Sequence, residues 1–430
     1  MTAQRAPRPL SPPRAGVPRP ERPRLRRHLA RDVRSFVRSF VRSRNGRTAM
    51  ASQNMSTVIT NGPVGVDVRA FARDALTFTS SAHPSPGEHH ATRACVYATE
   101  TESDACEVIV ASGSETYAIS IDLRDEDVER GKSNALRPTR ARGETAASAS
   151  RFLDSFSTGR EIQSISLSPD AGKLLAVDNF GVVDVMTRDV GVGTGFTSRA
   201  GGVSGVGASD VSGLGGWCGA VMGAEEKKIY VAKSSSQAVD VYDGDRRVRR
   251  IRTLLSPSDV SVAVGGKGES VFAVVEGHQL AVYDDRIAEK GGCTNRISLG
   301  YNKPLFAVST SQSPGLEFLV ACGGAERVVH ILDVRKWGAM HRWRNATKFD
   351  ITQLELSTSS PGFAYVAGLD YECMCGNWVT HKTDGGFSFR ADSRWMGLNS
   401  CKTASGDGDI VAGWAESGHV YALRTTPRNT

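Results

Sequence analysis

The chain has 430 residues, 40% of them hydrophobic, with 45 Gly and a formal charge of +7. That length buries a large core, either as two domains or as one large β architecture. No apolar run approaches the roughly 18 residues of a bilayer-spanning helix, so a soluble protein is expected.

The charge does not indicate a nucleic-acid binder, because it sits at one end. Residues 1–49 hold 14 Arg, no Lys and two acids (Glu21 and Asp32), a net +12, whereas the remaining 39 basic and 44 acidic residues give the body −5. Direct nucleic-acid binding normally needs a positive folded surface. Eight cysteines are scattered through apolar runs with no CxxC pair. Cys373 and Cys375 fall on one side of a strand, without the second pair or His pair that zinc requires. Free thiols in a reducing compartment are expected, and no metal or cofactor.

In chain order, PRPLSPPRAGVPRPERPRLRR (7–27) is too rich in Pro and Arg to form a core. Next, Leu29, Val33, Phe36, Val37 and Phe40 recur at helical spacing with Arg opposite. This pattern fits an organelle-targeting segment or a surface helix for acidic membranes or a partner. Alternatively, synthesis starts at Met50. Residues 1–60 are expected to be a disordered tail or targeting segment, outside the fold in every case. Without targeting, the protein belongs to the cytoplasm or nucleus.

From residue 93 a unit of three short strand signals recurs seven times. The clearest copy reads IQSISLSP, a turn at Asp170-Ala171-Gly172, KLLAVD, a turn at Asn179-Phe180-Gly181, then VVDVMT. The other copies are RACVYAT/CEVIVASG/TYAISIDLR, WCGAVM/KKIYVAK/AVDVYDGD, DVSVAV/SVFAVVE/QLAVYDDR, PLFAVST/EFLVACG/RVVHILDVR, TQLELS/FAYVAGLD/ECMCGNW and WMGLNS/DIVAGWAE/HVYALRT. Runs of Val, Ile, Ala and Tyr between Gly, Ser, Asp and Asn are strands joined by tight turns. The basic segments RRVRRIRT and KWGAMHRW suit outer strands, whose exposed edges charge protects.

This unit, with its Ser-Pro-Asp-x-Gly turn and strands ending Ile121-Asp122, Tyr242-Asp243, Tyr283-Asp284 and Leu332-Asp333, resembles the WD repeat. The resemblance implies an all-β, seven-bladed β-propeller over residues 70–426, with flexible insertions at 125–150 and 190–216. It departs from the pattern at Met186-Thr187, in the last two blades, and at Gly277-His278 and Gly418-His419, which lie between second and third strands. The chain ends on a third strand, so ALTFTS (75–80) is expected to close the ring by pairing with HVYALR.

No nucleophile elbow, zinc-protease, P-loop or kinase motif occurs, and no enzyme is expected. His89-His90 reads as solvated. A non-catalytic scaffold is expected, binding a protein or peptide within a possible multi-subunit complex. In this family the loops between second and third strands, and those leading into first strands, often form the binding face. That implies a rim of Phe180, Trp217, His278, Arg327, Tyr371, Arg394 and His419. The Asp-x-Arg endings (Asp284-Arg286 and Asp333-Arg335, with Asp122-Arg124) close turns or, by resemblance, dock on the adaptor of a cullin-RING ubiquitin ligase. A channel-centred enzyme and an RNA-associated scaffold are further alternatives.

Overall fold

The computed structural model describes residues 63–76, 93–99, 105–130, 135–140, 148–151, 161–168, 170–188, 196–197, 206–207, 215–223, 225–262, 270–299, 302–336, 338–380 and 382–429. The expected tail, its helical pattern, Met50 and His89-His90 lie outside these residues.

Seven sheets form seven blades, antiparallel but for one strand added at the edge of blade seven. Blade one comprises Ala94–Ala98, Ala105–Ser112, Glu115–Asp122 and Ser148–Arg151. Blade two comprises Ile162–Leu167, Lys173–Asp178, Val183–Arg188 and Phe196–Thr197. Cys218–Met222, Lys228–Lys233, Ala238–Asp243 and Arg246–Arg252 make blade three. Blade four follows as Pro257–Val262, Val271–Glu276, Gln279–Asp284 and Cys293–Ser298, and blade five as Leu305–Thr310, Leu319–Gly324, Val328–Asp333 and Gly338–Arg344. Blade six is Ile351–Leu356, Phe363–Gly368, Glu372–Asn377 and Lys382–Arg390. Blade seven joins Trp395–Lys402, Asp409–Ala415 and His419–Arg428 to a fourth strand from the other end of the domain, Gly65–Ala75.

First strands adjoin first strands in cyclic order, blade seven meeting blade one, so they line one axis. Second strands are buried throughout, as in Val271–Glu276 and Leu319–Gly324, which explains their unbroken apolar character. At the axis, polar groups tie blade to blade. Val308 donates its amide to Asp259 Oδ2 at 2.8 Å, and Ser309 Oγ donates to Glu355 Oε2 at 3.0 Å. Asn399 Nδ2 donates to Glu355 Oε1 at 3.4 Å, while its Oδ1 accepts the Val96 amide at 3.2 Å. Cys95 Sγ reaches Ile165 O at 3.3 Å and Ser166 Oγ reaches Ala220 O at 2.7 Å. The remaining seam, between blades three and four, is filled by Trp217, Tyr230, Val260 and Phe272.

Ring closure pairs the strand before blade one with HVYALR, as expected, but uses an earlier segment. Gly65–Ala75 runs antiparallel to His419–Arg428, and a bulge between Val68 and Ala70 shifts its register. Only Ala75 of the expected ALTFTS strand takes part; Leu76 donates its amide to Gly418 O at 3.0 Å, and 77–80 lie outside the described residues. The bulge buries Ala70, Phe71 and Ala72 consecutively. That masks the alternation by which a half-exposed strand is normally recognised. Phe71 sits against Phe389 (centroids 4.6 Å) and Tyr421 (6.4 Å).

The described residues of both insertions contribute packed structure. Thr139–Arg140 adds a parallel strand outside the closing strand, and Leu136 is buried with Phe71, Phe387 and Phe389. Phe196 supplies the outer strand of blade two, and Val206 is buried against Val183. Cys373 and Cys375 face one core cluster with Met374 between them, and burial pushes both thiols up. Apart from a 3-10 turn at Glu289–Gly292, the described residues hold no helix. None is therefore long and apolar enough to cross a membrane.

Candidate functional site

Turns between second and third strands share one face of the ring with the segments leading into first strands. Backbone bonds join them across seams: Ile162 N to Gly113 O, Gly216 N to Asn179 O and Leu305 N to Gly277 O, at 2.8, 2.8 and 2.7 Å. The seven expected rim residues belong to this end of the ring.

They differ sharply in availability. Trp217 is 1% exposed and fills the seam between blades three and four with Tyr230 and Phe272. This corrects its placement on the rim: Gly219 leaves room for the indole, since a Cβ there would lie 2.6 Å from it. Phe180 and His278 are half-buried. The Asn179–Gly181 turn is held by Asp178 Oδ1, which accepts the amides of Phe180 and Val182 at 2.9 and 2.8 Å. In blade seven, Arg394 pairs with Glu416 at 3.4 Å, and His419 Nδ1 lies 2.5 Å from Asp392. Arg327 and Tyr371 remain exposed, on adjacent blades five and six.

Five blades make the same turn, with an amide returning to the carbonyl three residues back and a final residue at positive φ. That residue is Gly181 in blade two (φ 77°) and Gly418 in blade seven (φ 91°). Gln237 holds the position in blade three, Arg327 in blade five at 60° and Tyr371 in blade six at 72°. A side chain here costs about 1 kcal/mol relative to glycine. The fold supports an Arg and a Tyr, side by side, where glycine serves equally well for the turn. Strain of this kind concentrates at functional positions.

The loop Asn345–Asp350 between the two blades completes the patch. Phe349 is 49% exposed and Tyr371 38%. Arg327 Nη1 donates to Lys348 O at 3.2 Å, and the Lys348 amide donates to Glu372 Oε2 at 3.2 Å. Lys348 Nζ lies 5.8 Å from the Phe349 ring, within cation–π range. Arg390 Nη2 donates to Asp370 O at 2.8 Å. Lys348, Phe349 and Arg390 escaped the sequence reading. The signal for Phe349 was present: one large apolar residue between Lys and Asp in a polar loop, outside any strand periodicity.

The Asp-x-Arg endings behave as local closures. Asp333 Oδ1 accepts the Arg335 amide and Nε, each at 2.9 Å, and Oδ2 accepts Nη2 at 2.8 Å, with the guanidinium 3.3 Å above the Phe318 ring. Asp284 and Arg286 repeat the fork at 3.0, 2.9 and 2.7 Å. Blade six lacks the Asp, and there Asn377 Oδ1 takes the acceptor role toward Val379 and Thr380.

At the axis, burial pushes the carboxyl of Asp259 up to about 7, partly opposed by the Val308 and Val260 amides. Glu355 also rises to about 7, chiefly from burial and further from the Asp259 charge, opposed by the Ser309 and Asn399 hydrogen bonds.

No protein-family model matches the chain, and no curated protein matches it. Its likeness is structural. One chain of the crystal structure of the mitotic checkpoint complex superposes with a TM-score of 0.53 at 13% identity, covering 95% of this chain and 96% of that one. Matches extend to 1309 solved chains, so the fold alone does not choose among functions.

Proposed function

We propose that the chain is a degenerate WD-repeat propeller acting as a non-catalytic interaction platform, with the rim of blades five and six turned to a protein or peptide partner. The observation that carries this reading is the pair of strained, exposed side chains, Arg327 and Tyr371, flanking exposed Phe349. Aromatic and Arg residues on a rigid frame are the usual interface anchors, because little ordering accompanies their burial. Membership of a multi-protein complex by the structural neighbour agrees with this role. Convergent acids at the axis are the mark expected of a channel-centred enzyme. Here all four oxygens of Asp259 and Glu355 accept bonds from fixed donors, which supports a structural use. A ligase-receptor role through Asp284, Arg286, Asp333 and Arg335 would require an adaptor to compete with the forks that close their own turns.

The test is crosslinking and mass spectrometry with three baits: the parent chain, Arg327→Glu with Lys348→Glu, and an outer-edge control, Arg246→Glu with Arg252→Glu. Loss of partners from the rim variant alone is expected. Loss from the edge variant alone would refute the platform face.

A further inference from the structure

The blade five–six rim shows what chemistry it would recognise, and this inference rests on the platform reading. Its charges are sorted by depth. Arg327, Lys348 and Arg390 are exposed, whereas Glu326, Asp350, Asp370 and Glu372 are half-buried. One of these carboxylates already has a partner: Glu372 accepts the Lys348 amide at 3.2 Å. At the exposed surface an incoming chain meets three cations and two aromatic side chains, with the four carboxylates set deeper. A basic segment would meet like charge at the surface, and an uncharged one would leave the cations unanswered.

We infer that this patch binds an acidic linear peptide segment that places one aromatic or large aliphatic side chain between Phe349 and Tyr371. Carboxylates of the segment pair with Arg327, Lys348 and Arg390, and its anchor covers the apolar area left exposed by the two rings. A nucleic acid fits less well. Its evenly spaced phosphates would run past the half-buried carboxylates, whereas a peptide can place a few acids at the cations alone. The strain at Tyr371 gives the site a distinctive signature. Tyr371→Gly relieves the backbone but gives up the partial burial of a side chain that is 38% exposed, so stability should change little while the anchor's wall is lost. Both hydrogen bonds accepted by Tyr371 O, from Ala391 N at 2.9 Å and Trp395 Nε1 at 3.0 Å, survive that change.

The experiment selects a phage-displayed library of random dodecapeptides on the full chain, then measures labelled winners by fluorescence polarisation. Winners should be net acidic with one aromatic or large aliphatic anchor. Phe349→Ser, and Arg327→Glu with Lys348→Glu, should each weaken them about tenfold or more. Tyr371→Gly should weaken them several-fold while leaving Tm within a few degrees of the parent's. Winners that are basic or uncharged, acidic winners indifferent to all these variants, or an oligo(U) probe that outcompetes them would overturn the inference. The platform reading survives those results if the rim bait still loses its crosslinked partners, and falls only if that bait keeps them.

Discussion

Glu355→Gln tests the polar ring at the axis. The native carboxyl titrates near 7 instead of 4.5, because burial and the Asp259 charge disfavour its ionised form. Below about 4.5 both folded and unfolded chains hold the proton, and the group exerts no net effect. As pH rises toward 7 the unfolded chain releases its proton first, so stability falls, and above 7 the full cost is present. The rise from 4.5 to about 7 sets a ceiling of about 3 kcal/mol. Glu355 is half-buried, and solvent screening brings the expected gain of the Gln variant at pH 8 to about 1–2 kcal/mol. Gln keeps an acceptor for Asn399 Nδ2 and can donate to Ser309 Oγ, as the protonated carboxyl can, so at pH 4.5 the variant should match the parent. Thermal unfolding of both proteins at pH 4.5 and 8 reads this directly, at about 2 °C per kcal/mol for a domain of this size. A difference that is the same at both pH values, or that favours the parent at pH 8, would refute the linkage.

Three further outcomes are expected. Phe71→Ala should cost about 3–5 kcal/mol in urea unfolding, because it empties the contact with Phe389 and Tyr421 at the closure, and a loss below 1 kcal/mol would place the closure elsewhere. Asp333→Ala should destabilise by about 1–2 kcal/mol and more than Arg335→Ala, since only the former leaves the Arg335 amide without its acceptor; equal effects would argue against turn closure. With Ellman's reagent on the folded chain, half-buried Cys293 should react well before Cys322, Cys373 and Cys375, and simultaneous reaction would contradict the core assignment.

Much of the ring was legible in the sequence. The strand signal KLLAVD coincides with Lys173–Asp178, and ECMCGNW runs one residue past Glu372–Asn377, since short apolar runs between turn residues have few other ways to fold. Trp217 and Phe349 show where legibility stops. Both are aromatic residues just ahead of a first strand, yet one fills a seam and the other faces solvent. Gly219 and the neighbouring blade decide that difference, and neither is a local property.

By itself, the sequence determined the all-β class, the sevenfold repeat, the basic edge strands and the joining of the chain's two ends in one blade, because periodicity and turn chemistry act over a few residues. Tertiary structure alone decided which segment closes the ring, that Leu136 and Phe196 belong to the folded body, and that Arg327, Phe349 and Tyr371 form one patch. These depend on contacts between residues far apart in the chain, where register and burial are set by neighbouring blades.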